Sequence, residues 1–155
     1  MLSSSSQYAV RAALYLAMKT SESEKMKAED IAKALDIPKH FLAKILQQLT
    51  RKKIVSSTKG RNGGFYLSDN NRSCSLLEVL EAIDGPMSLN SCILGLKNCS
   101  DAYPCPYHNQ VSKFRFSFYN QLMTESIDSC LQRIDFSKLR ITNPDKQKLT
   151  SSGDR

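Results

Sequence analysis

Apolar positions recur with a helical period through the first half of this chain, and the breaks fall at proline and glycine. Residues 8–18 are almost continuously apolar, interrupted by Arg11, and predict a buried first helix. Ala28, Ile31, Ala32 and Leu35 then recur at helical spacing. Asp36-Ile37-Pro38 ends that run, because proline disfavours α geometry in the residue before it. A further helix is expected from Pro38 to about Lys53, burying Phe41, Leu42, Ile45, Leu46 and Leu49 while Lys39, His40, Lys44, Gln47, Gln48 and Arg51 face outward. Next come Ile54-Val55-Ser56-Ser57, a turn Lys59-Gly60-Arg61-Asn62-Gly63-Gly64, and Phe65-Tyr66-Leu67, which read as a two-stranded hairpin. The expected fold is mainly α with a small β-hairpin wing: a winged helix-turn-helix followed by a long C-terminal helix.

The second half continues the pattern. Leu76, Leu77, Val79, Leu80 and Ile83 predict a helix ending at Asp84-Gly85-Pro86. Val111, Phe114, Phe118 and Leu122 form a narrow apolar seam on a helix over about 108–124. Such a seam suits a partner helix, and in a small protein a second copy can supply it, giving a homodimer with twofold symmetry. Residues 142–155 hold one large apolar group, Leu149, and predict a disordered tail. The expected organisation is therefore 1–86 as a winged DNA-binding unit, 87–108 as a cysteine-rich loop, 109–140 as dimerisation helix and C-terminal segment, and 141–155 as tail.

Charge changes the picture by where it lies. The chain carries 22 cations, 15 anions and a net charge of +7. Residues 37–68 hold Lys39, Lys44, Arg51, Lys52, Lys53, Lys59 and Arg61 without one acid, and the rest balances. An excess confined to the helix from Pro38 to about Lys53 and the hairpin is the footprint of phosphate contact. Lys39, His40, Lys44, Gln47, Gln48 and Arg51 on the helix, with Lys59, Arg61 and Asn62 at the wing tip, are the candidate contacts to double-stranded DNA. The helix is expected to enter the major groove and the wing to reach phosphates or the minor groove. Two symmetric copies would match a palindromic operator.

Cysteine supplies the chemistry. Cys92-x6-Cys99-x5-Cys105-x2-His108 gathers three thiols and an imidazole in a segment broken by Gly95, Pro104 and Pro106, a loop able to wrap one metal or cluster. Cys74 and Cys130 lie outside it and read as small buried residues. Residues 1–7 lack the apolar core of a secretory signal, and no run nears the roughly 18 apolar residues that cross a bilayer. The expected setting is the cytoplasm, away from membranes, where five cysteines do not imply a disulfide framework. No phosphate loop, dinucleotide fingerprint or nucleophile elbow is present. A Cys nucleophile paired with His108 fits the spacing less well than ligation does, so no enzyme is expected.

The wing Gly60-Arg61-Asn62-Gly63-Gly64-Phe65, the helix Leu76-Leu77-Glu78-Val79-Leu80-Glu81-Ala82-Ile83-Asp84-Gly85-Pro86 and the three downstream cysteines occur in the order seen in the Rrf-two family of bacterial transcription regulators. The chain resembles its IscR- and NsrR-like iron-sulfur sensors over about residues 1–135. That resemblance implies a dimeric DNA-binding repressor or activator reporting iron-sulfur status, nitric oxide or oxidants. It implies cluster thiolates at Cys92, Cys99 and Cys105 with His108 as fourth ligand, [2Fe-2S] favoured and [4Fe-4S] possible. Gln7 stands where the NsrR type has an Asp ligand, and Ala43 where the IscR type has a Glu on the recognition helix. A closed three-Cys-one-His zinc site is the alternative. RNA-binding fingers of that type carry aromatic and basic residues between ligands, and here only Lys97 and Tyr103 would serve.

Overall fold

The computed structural model describes residues 2–86, 89, 91–135, 138 and 141. The expected tail, 141–155, lies outside them except for Ile141, whose carbonyl accepts from Arg11 at 3.0 Å. The elements in order are α1 (Ser4–Lys19), α2 (Ala28–Leu35), α3 (Lys39–Arg51), β1 (Ser56–Thr58), β2 (Gly64–Tyr66), α4 (Asp69–Arg72), α5 (Leu76–Asp84), α6 (His108–Thr124) and α7 (Ile127–Arg133). Helix α1 begins four residues before the apolar run that predicted it, because Ser3 caps it by accepting from the Ser6 N–H at 3.0 Å. Alanines 9, 12, 13 and 17 leave α1 thin enough for α3, α5 and α7 to pack around it. Leu16, Ile31, Leu35, Leu42, Leu46, Leu49, Val55, Leu67, Val79, Leu80 and Ile127 fill the core.

Polar side chains fix the joints. Arg11, an interruption in the apolar run, donates to the Leu35 carbonyl at 2.6 Å and so satisfies the C-terminal end of α2. Arg72 does the same for α1, reaching the Ala17 and Thr20 carbonyls at 2.7 and 3.1 Å, and pairs with Asp128 of α7 at 3.4 Å. Ser3 and Ser6 donate to the two oxygens of Asp84 at 2.7 and 2.6 Å, clamping the first turn of α1 to the last residue of α5.

The wing is shorter than its sequence suggested. Ile54 and Val55 are buried in the turn after α3, and pairing begins at Ser56, opposite Tyr66, and runs to Thr58 opposite Gly64. Met26 joins as a third edge through two backbone bonds with Phe65. A side chain on Gly64 would meet the Met26 carbonyl at 2.6 Å, and one on Gly63 the Thr58 carbonyl at 2.2 Å, so the paired glycines are required by close approach. Buried Asn71 holds the wing's roots: its amide nitrogen donates to the Lys53 carbonyl at 2.8 Å, and its oxygen accepts from the Ser56 hydroxyl and from the Ser68 N–H and hydroxyl. Lys53 itself sits at φ +59°, outside the usual region for a side-chain-bearing residue.

Two other expectations shift. Phe41 is not buried but 48% exposed. It lies one residue before Leu42 and therefore on the flank of the core stripe, on the side of Lys44 and Gln48. Leu122 of the α6 seam packs into the chain's own core, whereas Phe114 stacks on Phe118 at 5.6 Å and stays 51% exposed. After α6 the chain pairs Ser126 with Ser75, and α7 returns to pack on α1.

Candidate metal centre and nucleic-acid interface

Short turns close the loop between α5 and α6 on itself. Gly95, at φ +72°, donates its N–H to the Cys92 carbonyl at 2.9 Å. The Ser100 and Tyr103 backbones bond reciprocally, and the His108 N–H reaches the Cys105 carbonyl at 3.0 Å. The result is one gathering point: the sulfurs of Cys92, Cys99 and Cys105 all lie within 4.8 Å of one another. All are free thiols, with Cys105 buried and the others half-buried. Val111 and Arg115 of α6 help to close the space, leaving a void of about 10 Å³.

His108 opens α6 at the edge of this group. Its Nδ1 lies 3.2 Å from the Cys99 sulfur and its Nε2 2.9 Å from an Asp101 carboxylate oxygen. A proton on Nε2 donated to Asp101 leaves the Nδ1 lone pair facing the thiols, the arrangement a ligating imidazole uses. Burial pushes the Cys92 thiol up. The Leu96 and Leu94 backbones and the Cys99 and Cys105 thiols outweigh it and bring the pKa down to about 7. For Cys99 the Cys105 backbone bond pulls down, yet burial and the neighbouring Cys105 and Cys92 sulfurs leave it above the ordinary thiol value.

Three soft sulfurs and an oriented imidazole suit a thiophilic metal or an iron-sulfur cluster. Metal–sulfur bonds of about 2.3 Å in a tetrahedron set sulfurs about 3.8 Å apart. The gathered thiols therefore fit one ion with little movement, while a two-iron core asks the loop to open. Cys74 and Cys130 stand apart near the Ser75–Ser126 bridge, half-buried, and burial raises both thiols. Gln7 bonds weakly to the Leu2 carbonyl and is not one of the gathered groups.

On α3 and the wing, Lys39, His40, Lys44, Gln47, Gln48, Arg51, Lys59, Arg61 and Asn62 are all exposed. Lys39 is ion-paired with Glu29, and the His40 ring lies 4.3 Å from Phe41. Lys27 donates to the Arg61 carbonyl at 3.4 Å and steadies the wing tip. Sequence reasoning passed over Asp101, Arg115 and a second apolar stripe on α6, Phe116, Tyr119 and Met123, which is exposed. The stripe's spacing of 3 and 4 was a readable signal. Asp101 had only its place between two ligands, and Arg115 none.

A helix-turn-helix with a hairpin wing and a thiol-lined loop before its last long helix defines a winged-helix protein with a metal-type site. The sequence model of the Rrf2 family, described as an iron-dependent transcriptional regulator, matches residues 2–133. The chain belongs to that family and is a transcriptional regulator. The NsrR regulator of Geobacillus kaustophilus is 27% identical over 150 residues, 97% of this chain and 94% of that one. Among solved structures, CymR, the global cysteine regulator of B. subtilis, superposes with a TM-score of 0.68 at 18% identity, covering 87% of this chain and 98% of that one. IscR of T. potens superposes at 0.66 and 17% identity, covering 90% and 92%. Both structures share the winged-helix fold. No helix among the described residues is long and apolar enough to cross a membrane.

Proposed function

We propose that the chain works as a homodimer that binds a palindromic operator in double-stranded DNA, with an affinity set by an iron-sulfur cluster held by Cys92, Cys99, Cys105 and His108. The observation that carries this reading is the convergence of three sulfurs within 4.8 Å at the joint between α5 and α6. A cluster bound there would supply a one-electron couple and a target for nitric oxide or oxygen. The three thiolates would ligate, and Asp101 would hold His108 in the ligating tautomer.

Residues 1–86 would carry DNA recognition. Lys44, Gln47 and Gln48 offer donors and acceptors to base edges, and Phe41 offers a surface to a thymine methyl. Lys39, His40, Arg51, Lys59, Arg61 and Asn62 suit phosphates. Residues 109–140 would pair the subunits, since Phe116, Tyr119 and Met123 leave α6 with an apolar face uncovered in one chain.

Coupling follows from how α6 is held. Its far end is tied to α5, with the Leu76 N–H donating to the Glu125 carbonyl at 3.0 Å, while His108 at its near end belongs to the ligand loop. Drawing the ligands together or releasing them would swing α6 about the tied end and change the spacing of two recognition helices across the dimer. This is allosteric only if ligation favours one spacing over the other.

Anaerobic purification with iron, sulfide and zinc assays tests the reading. Iron and sulfide that bind wild type and are lost in Cys92→Ala, Cys99→Ala and Cys105→Ala, but not in Cys74→Ala or Cys130→Ala, are the expected result. A second reading, a structural zinc site, is favoured by the close sulfur spacing. Stoichiometric zinc without sulfide would establish it and end the sensor reading.

A further inference from the structure

Helix α6 presents His108, Val111 and Arg115 on one face, spaced by three and four residues, and all three line the void between the cysteines. Arg115 donates to the carbonyl of Ser91, the residue before Cys92, and its Nε is shielded from solvent. It also borders a groove of about 470 Å³ shared with Glu81, Leu89, Phe116 and Tyr119. One guanidinium thus touches the ligand space, the backbone leading into it, and the uncovered face of α6.

We propose that Arg115 is the counter-charge of the thiol site, a positioning residue that stabilises the anionic ligated loop and ties its charge to α6. The inference rests on the reading that Cys92, Cys99, Cys105 and His108 hold a metal or cluster. Three thiolates and a neutral imidazole around a doubly positive ion or core leave the site with a net negative charge, which deepens by one on one-electron reduction. A half-buried cation beside it favours the ligated and the reduced states, because Coulomb attraction is less screened where one side of the pair faces protein rather than water. Arginine suits the task, since it stays charged when partly buried and its fork can hold a carbonyl at the same time.

The test compares wild type, Arg115→Gln and Arg115→Lys. In anaerobically reconstituted protein titrated with dithionite as one-electron reductant, Arg115→Gln is expected to lower the reduced-to-oxidised ratio at fixed potential about tenfold, a midpoint shift of about 59 mV. Arg115→Lys, which keeps the charge and loses the fork, is expected to stay near wild type. Equal midpoints in all three, or equal shifts in Gln and Lys, would overturn the proposal, the latter by reducing Arg115 to a backbone tie. Wild type without iron and sulfide would sink the cluster reading alone. Zinc affinity by chelator competition then decides: about tenfold weaker in Gln and retained in Lys supports the counter-charge, and equal affinity overturns it. Circular dichroism of the metal-free variants checks the fold, with Arg115→Met, which keeps the apolar stem, replacing Gln if Gln unfolds. Unfolding of both neutral variants while Lys folds would make the residue structural and also overturn the proposal.

Discussion

Cys92 is the thiol whose loop backbone and sulfur neighbours favour the thiolate. With a pKa of about 7 in the metal-free chain, it is half thiolate at neutral pH, whereas burial lifts Cys74 and Cys130 above the ordinary value. Thiolate is the reactive form, so the sign is definite: Cys92 reactivity is present above pH 7 and falls about tenfold per unit below it. Mass spectrometry after brief iodoacetamide treatment of metal-free protein at pH 7 is expected to find Cys92 modified first and Cys74 and Cys130 last. Equal labelling of all five would show that the loop does not gather its sulfurs in solution. At this scale the gathered cysteines were readable from spacing, because proline and glycine forced a loop between them. Asp101 was not, since a carboxylate that orients a histidine through space leaves no periodic mark.

The wing and α3 act as one element because Asn71 bonds to Lys53 at the end of α3, Ser56 at the start of β1 and Ser68 after β2. The basic tip is thereby fixed relative to α3. Replacing Lys59 and Arg61 with Gln is expected to weaken binding to specific and random duplex alike and to make the slope of log affinity against log salt shallower by roughly 1 per lost phosphate contact. Electrophoretic shift at several salt concentrations measures both, and unchanged affinity on every duplex would remove the wing from the interface. The helices α1, α2, α3, α5 and α6 were readable because two or more turns repeat the apolar stripe. The four-residue α4 is too short to show a period, whereas α7 carries one at Ile127, Cys130, Leu131 and Ile134 that went unread, and the hairpin was overextended because buried Ile54 and Val55 look like strand residues. Phe41 was misplaced because counting apolar residues ignores the 100° step that sets it beside the stripe.

For the whole molecule, the proposed coupling makes α6 a lever between the thiol loop and the subunit interface. The Ser3–Ser6–Asp84 clamp holds the end of α5 to α1, the Ser75–Ser126 bridge holds the far end of α6, and the cysteine loop sets the near end. Architecture up to α5 followed from local pattern, but the lever did not, since it depends on hydrogen bonds between residues about 80 and about 50 positions apart. The most direct measurement is operator affinity by fluorescence anisotropy, anaerobically and at one salt concentration, on a duplex selected by the protein from a random library, before and after controlled cluster loss. The account predicts a difference of several-fold to about a hundredfold, matching a coupling of roughly 1–3 kcal/mol, that disappears in Cys99→Ala. Equal affinities in the loaded and cluster-free states would contradict it and leave the thiol site a structural one.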